Sequence, residues 1–330
     1  MSDRESQQTR HSSLFDRRVL FVVGKGGVGK SVVVTALALQ AVDQGLRVCI
    51  AEMNGAESTA ALLGCPPVGY RPTAIAEGIE AISITAEQAT EEYLLRTLRF
   101  RKLYDLVFRN RYIEPFMNGI LGLSDLTSVG KVMDLEWQRA DGSYGIEASG
   151  PARYDLVVVD CPSTGHGLAL LKAPQTMMDV TSRGPLYNNS AMIRDLLCDR
   201  TKTAVLLVTL AEEMPVAETL ESVTTMRESL DIALAGVVMN AVPPPLASAN
   251  DLEAWWPDVA AEGLALGGHC AGSITYGEQV QRLRGEAARY IERIYSQTQL
   301  PVLELPLLGD QGMGADGLRE LGEHIGRWQT

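Results

Sequence analysis

Residues 24–31 read Gly-Lys-Gly-Gly-Val-Gly-Lys-Ser, and no other stretch of the chain limits its fold so tightly. Gly24, Gly29, Lys30 and Ser31 satisfy the spacing G-x-x-x-x-G-K-[ST]. Arg18 to Val23, just before it, is a short apolar run that predicts a buried parallel strand. Ser31 to Gln44, just after it, is rich in Ala, Leu and Val and stops near Gly45, which predicts a helix. A strand that enters a glycine-rich turn and leaves as a helix gathers backbone N–H groups around one point. Gly24, Gly26, Gly27 and Gly29 give the chain around Lys25 and Val28 the freedom to turn those groups inward. Lys30 adds a point charge for the β and γ phosphates, Ser31 offers its hydroxyl to magnesium, and the helix points its positive end at the same anion. Gly24 to Ser31 is therefore the expected binding loop for ATP with Mg2+.

The remaining chain fits the same plan. Arg47 to Ala51, Ile79 to Ile84, Leu156 to Asp160, Ala204 to Thr209, Ala235 to Met239 and Pro301 to Leu305 are short apolar runs separated by helical segments. The expected fold is α/β, a doubly wound and mostly parallel sheet. A helical insertion subdomain is expected at about 86–137 and 168–198, with Asp141 to Gly150 as a loop. Residues 1–16 are expected to be a disordered tail and 17–330 a single domain. Asp160, at the carboxyl end of its strand, is placed to hold magnesium, usually through a water.

Composition narrows the partners. The formal net charge is −12, with 41 acidic and 29 basic residues, so there is no broad electrostatic attraction to nucleic acid or to an anionic membrane. No window approaches the roughly 18 to 20 apolar residues that span a bilayer, so an integral membrane protein is not expected. The five cysteines are scattered and form no C-x-x-C, which suggests reduced thiols in a cytoplasmic protein rather than a zinc or redox site.

Two motifs carry a family resemblance. Lys25-Gly-Gly-Val-Gly-Lys30 resembles the deviant phosphate loop of the SIMIBI class of NTPases, whose first lysine reaches a partner's nucleotide. The resemblance implies a dimer, with a second copy or a paralogous subunit supplying charge in trans. Asp160-Cys-Pro-Ser-Thr-Gly-His-Gly-Leu-Ala-Leu-Leu171 resembles the D-x-A-P-T-G-H-x-L-R-L-L signature of the ArsA family, which includes arsenite-pump and tail-anchored-protein-targeting ATPases. Thr209 to Glu218, Asn240 after its strand, Pro306 within Leu305-Pro-Leu-Leu308, and Gly122 to Lys131 also match family segments, so the resemblance covers roughly 17–326. It implies that Asn240 contacts adenine, that the loop containing Pro306 covers the base, and that Ser163 belongs to the nucleotide-binding set. It implies as well a dimeric switch whose helical region receives a protein client such as a membrane-protein segment. Met117, Ile120, Leu121, Leu123, Met133, Met177, Met178 and Met192 are the candidate groove residues, weighed against ordinary core packing.

The chain departs from the family at its first switch. Where the family has D-P-A-H, this sequence has Asn54-Gly-Ala-Glu57. Asn54 can orient a water but cannot accept its proton, so slow intrinsic hydrolysis is expected, with Glu52 and Glu57 as nearby substitutes. The alternative function is an ATPase subunit that energises arsenite or anion efflux through a membrane pump. It needs convergent thiols, which the spacing does not offer. A partition or positioning ATPase would carry a basic terminal helix, and Leu318 to Trp328 is not basic. An iron–sulfur reductase needs a second placed cysteine beside Cys161.

Overall fold

The computed structural model describes residues 14–53, 58–98, 122–145, 148–243, 269–309 and 314–328. Eight strands form one sheet: β1 (Val19–Gly24), β2 (Val48–Met53), β3 (Thr73–Ala76), β4 (Ile79–Ile84), β5 (Leu156–Ser163), β6 (Thr203–Leu210), β7 (Leu234–Val242) and β8 (Val302–Pro306). Their order across the sheet is β3-β4-β2-β5-β1-β6-β7-β8. Every pairing is parallel except β3 with β4. The winding reverses at β1, so the loop after β1 sits where doubly wound sheets open a crevice at their carboxyl ends.

The helices are α1 (Lys30–Asp43), α2 (Ser58–Leu62), α3 (Ala86–Leu98), α4 (Leu123–Trp137), α5 (Thr164–Val180), α6 (Pro185–Cys198), α7 (Glu213–Ser229), α8 (His269–Thr298) and α9 (Ala315–Gly326). They cover both faces. Leu20 and Val22 of β1 face α1 and the Leu318, Leu321 and Ile325 stripe of α9. Val19, Phe21 and Val23 face α4, α5 and α6. This is why β1 is apolar at successive positions rather than at alternate ones, and all six of its residues are buried. Burial of each such Val, Leu or Phe contributes on the order of 1.5–3 kcal/mol. Over β6 and β7 the second face is closed by α7 and α8, where Val280, Ala287 and Ile294 recur at helical spacing.

Several expectations need adjustment. Leu14–Asp16, assigned to the tail, forms a 3-10 turn, and Leu14 packs into the core at 2% exposure. β5 runs past Asp160 to Ser163. The region 168–198 is two helices, with a break at 181–184. Among the candidate groove residues, Leu123, Met133 and Met177 are buried in the core, while Met178 and Met192 are half-buried. Met117, Ile120 and Leu121 lie outside the described residues, as do 99–121 of the insertion. Between α3 and α4 runs a polar network in which Arg96 and Tyr144 donate to Asp134, and Lys131 pairs with Glu92 at 2.6 Å.

Candidate functional site

Four strand ends converge beside the glycine loop. β1 stops at Gly24; a Cβ there would lie 2.3 Å from the carbonyl oxygen of Val208 on β6, so the chain can make this turn only with glycine. Gly29 begins α1 in the left-handed region at φ 86°, and a Cβ on it would lie 2.3 Å from Asn240 Nδ2. The loop is thus fixed from below by β6 and from the side by β7. Asn240 is buried and donates its amide to the Val28 carbonyl at 2.9 Å. A residue matched to a base contact therefore also buttresses the phosphate loop.

Lys30 folds back over the loop. Its ammonium donates to the carbonyls of Gly24 at 3.1 Å and Lys25 at 3.2 Å. Burial holds its pKa below the usual lysine value, against the pull of Asp160 and Cys161. Ser31 donates its hydroxyl to Asp160 Oδ2 at 2.6 Å. Burial pushes the Asp160 carboxyl up to about 6 and Glu52 adds to the rise, while the Ser31 hydrogen bond and the Lys30 charge oppose it. The structure therefore brings Gly24, Lys30, Ser31 and Asp160 into one contiguous site.

Lys25 points elsewhere. Its ammonium pairs with Glu218 on α7 at 2.7 Å, both side chains about one-third exposed (33% and 34%). Ser163 is exposed at the start of α5, and Pro306 ends β8 beside the exposed Leu307. Asn54 and Glu57 lie outside the described residues.

Three residues gain meaning only in three dimensions. Glu218 ends a segment noted for its resemblance, yet nothing in the sequence shows that it faces Lys25. His166 Nε2 lies 3.2 Å from Asp125 Oδ1, joining α5, which begins four residues after Asp160, to α4. Glu52 is fully buried at the end of β2, in register beside Asp160. Its Oε1 accepts from the Thr59 backbone N–H at 2.7 Å and the Thr59 hydroxyl at 2.6 Å.

The thiols among the described residues are dispersed. Cys49 and Cys161 are buried, and burial pushes both well above the ordinary thiol range. Cys65 donates to the Ile75 carbonyl at 3.0 Å, and Cys198 lines a surface hollow with Arg194, Asp195 and Asp231. No cluster of three His, Cys, Asp or Glu among the described residues could hold a metal by itself. A magnesium site of one or two carboxylates takes the rest of its ligands from phosphates and water, and Ser31 with Asp160 fits that donor set. No helix among the described residues is long and apolar enough to cross a membrane.

Comparison with known proteins agrees with this geometry. A sequence profile of the family described as anion-transporting ATPase matches residues 17–184. The chain is 29% identical over 335 residues to ATPase BagA of Mycobacterium tuberculosis, covering 95% of this chain and 94% of that one. It is 24% identical over 323 residues to a putative arsenical pump-driving ATPase of Halobacterium salinarum, covering 94% of this chain but 44% of the other. With the arsenical pump-driving ATPase of Escherichia coli it is 26% identical over 259 residues, 70% and 40% of the two chains.

Proposed function

The chain belongs to the anion-transporting ATPase family, the ArsA family, and from that premise we propose that it is a dimeric ATP-driven switch that couples nucleotide state to a protein client or partner subunit. Gly24 to Ser31 cradle the triphosphate through backbone N–H groups, and Lys30 exchanges two loop carbonyls for phosphate oxygens. Ser31 and Asp160 would hold Mg2+, which when bound supplies positive charge to the phosphates. Asn240, Ser163 and the loop at Pro306 are assigned to the nucleotide. Asn54 is assigned to orienting the attacking water.

The observation that carries this reading is the position of Lys25. It stands within the phosphate loop yet makes its ion pair outward, to Glu218. A partly exposed pair of this kind contributes about 0–1 kcal/mol, so a phosphate presented by a second subunit competes for Lys25 easily. The lysine is held ready for use in trans without being locked. Movement at Asp160 passes into α5, and the His166–Asp125 contact passes it to α4, against which α3 and α6 pack. The helical side of the sheet is thereby coupled to the nucleotide.

The test compares wild type with Lys25→Ala. With a non-hydrolysable ATP analogue, sedimentation should show wild type dimerising and Lys25→Ala binding nucleotide but staying monomeric. Turnover per chain should rise with protein concentration in wild type alone. A Lys25→Ala protein that dimerises and turns over like wild type would sink the proposal. Two of the relatives above are named as arsenical pump-driving, which favours efflux as the second reading. Arsenite-stimulated ATPase activity, absent from variants of Cys65 or Cys198, would support it.

A further inference from the structure

Glu52 does more than the α2 cap requires. One carboxylate oxygen accepts both hydrogen bonds from Thr59. The other, Oε2, is buried with no hydrogen-bond partner among the described residues. The side chain as a whole has no exposed surface. A glutamine would accept the same two bonds from Thr59 without bringing a negative charge into the core. Leaving a buried acceptor unmade costs about 1–3 kcal/mol, and more for a charged one. The unpartnered oxygen therefore calls for a partner that the described residues do not provide.

The position says which partner. Glu52 sits directly beside Asp160 in the β2–β5 register, and Asp160 accepts from Ser31. Lys30 is the cation acting on Asp160 from the loop, and it is already shared with two carbonyls. Two neighbouring carboxylates and a hydroxyl at the mouth of a phosphate loop suit a hard divalent cation, which takes one or two carboxylates together with phosphate oxygens.

We propose that Glu52 is a second carboxylate of the divalent-cation site, sharing with Asp160 and Ser31 the cation that enters with the nucleotide. The inference rests on the nucleotide-switch reading and gives its site a residue that the family signature does not mark. Glu52 also links that site to α2 through Thr59, so occupancy by the cation is felt at α2.

The experiment measures Mn2+ binding by electron paramagnetic resonance, with a non-hydrolysable ATP analogue present, for wild type, Glu52→Gln, Glu52→Asp, Asp160→Asn and Thr59→Ala. Nucleotide affinity in EDTA is measured alongside, and thermal melts establish folding. Glu52→Gln should weaken Mn2+ binding by roughly 10- to 100-fold with metal-free nucleotide affinity unchanged. Glu52→Asp should lose less, and Thr59→Ala should bind Mn2+ like wild type. Wild-type Mn2+ binding by Glu52→Gln, with Asp160→Asn impaired, overturns the role of Glu52 and leaves the wider reading standing. Unchanged binding in both overturns the wider reading too. Equal weakening by Thr59→Ala reduces Glu52 to a cap for α2 and also overturns the inference. Should Glu52→Gln fail to fold, Glu52→Asp decides by the same measure.

Discussion

Asp160→Asn should stabilise the nucleotide-free protein while removing its capacity for the divalent cation. The magnitude follows from burial. Asp160 is 4% exposed, and its carboxyl stands at about 6 against an ordinary 3.8. That rise from 3.8 to about 6 corresponds to about 3 kcal/mol spent on keeping the group ionised above pH 6. The sign follows from proton counts. Between about pH 4 and 6 the folded protein holds a proton that the unfolded chain has released, so this group's contribution to stability falls as pH rises through that window. Above it the deficit is constant. An asparagine carries no such deficit, and since the net rise already includes the opposing Ser31 bond and Lys30 charge, the gain is about 3 kcal/mol at pH 7.5. Urea unfolding in EDTA at pH 7.5 and pH 4 measures it. The gain should be present at pH 7.5 and absent or reversed at pH 4. A variant no more stable than wild type at pH 7.5, or one equally stabilised at both pH values, refutes the reasoning.

Glu218→Gln should tighten ATP-dependent self-association about 1.5- to 5-fold, the equivalent of a 0.2–1 kcal/mol surface pair; sedimentation equilibrium reads this, and no change should occur in a Lys25→Ala background. Gly322→Ala should cost about 1–3 kcal/mol in urea unfolding, because a Cβ there lies 2.9 Å from the Ala36 carbonyl oxygen of α1 and 3.3 Å from Gln40 Cβ. Asp134→Ala leaves Arg96 and Tyr144 without their shared acceptor, which should destabilise the α3–α4 junction by about 1–3 kcal/mol and lower the melting temperature.

The parts of this fold that were legible in sequence are those set by local physics. β4 has the expected bounds Ile79–Ile84, because Ile79 and Ala81 feed one buried layer and Ile82 and Ile84 the other, leaving only Glu80 and Ser83 polar. The phosphate loop was legible because left-handed turns and close approaches demand glycine at fixed offsets. β3 was not legible: Thr-Ala-Ile-Ala is four residues at the sheet edge with two of them exposed, too short and too little buried to leave a pattern. For Met133 and Met177 the sequence left groove and core both open, since a helix stripe looks the same whether it faces a sheet or a client, and the structure places both in the core. Ion pairs such as Lys25 with Glu218 and His166 with Asp125 join residues far apart in sequence, and only the topology brings them together.

Those long-range partners change what the site can be said to do. Four of the side chains assigned to the nucleotide and its cation are already engaged, Lys30 by the Gly24 and Lys25 carbonyls, Ser31 by Asp160, Lys25 by Glu218 and Asn240 by Val28, whereas Glu52 Oε2 is not. For those four, binding is then an exchange of partners rather than the filling of unmet ones. Each exchange nets about 0.5–1.5 kcal/mol, so no single contact dominates and the protein returns readily to the nucleotide-free arrangement. The released partners lie on different elements: Glu218 on α7 and Asp160 on the strand that leads into α5. A ligand can shift a conformation only by its differential contacts with the two states. Here those contacts are built into the resting ion pairs and hydrogen bonds, so Lys25 and Asp160 are where nucleotide would be converted into movement of α7 and α5.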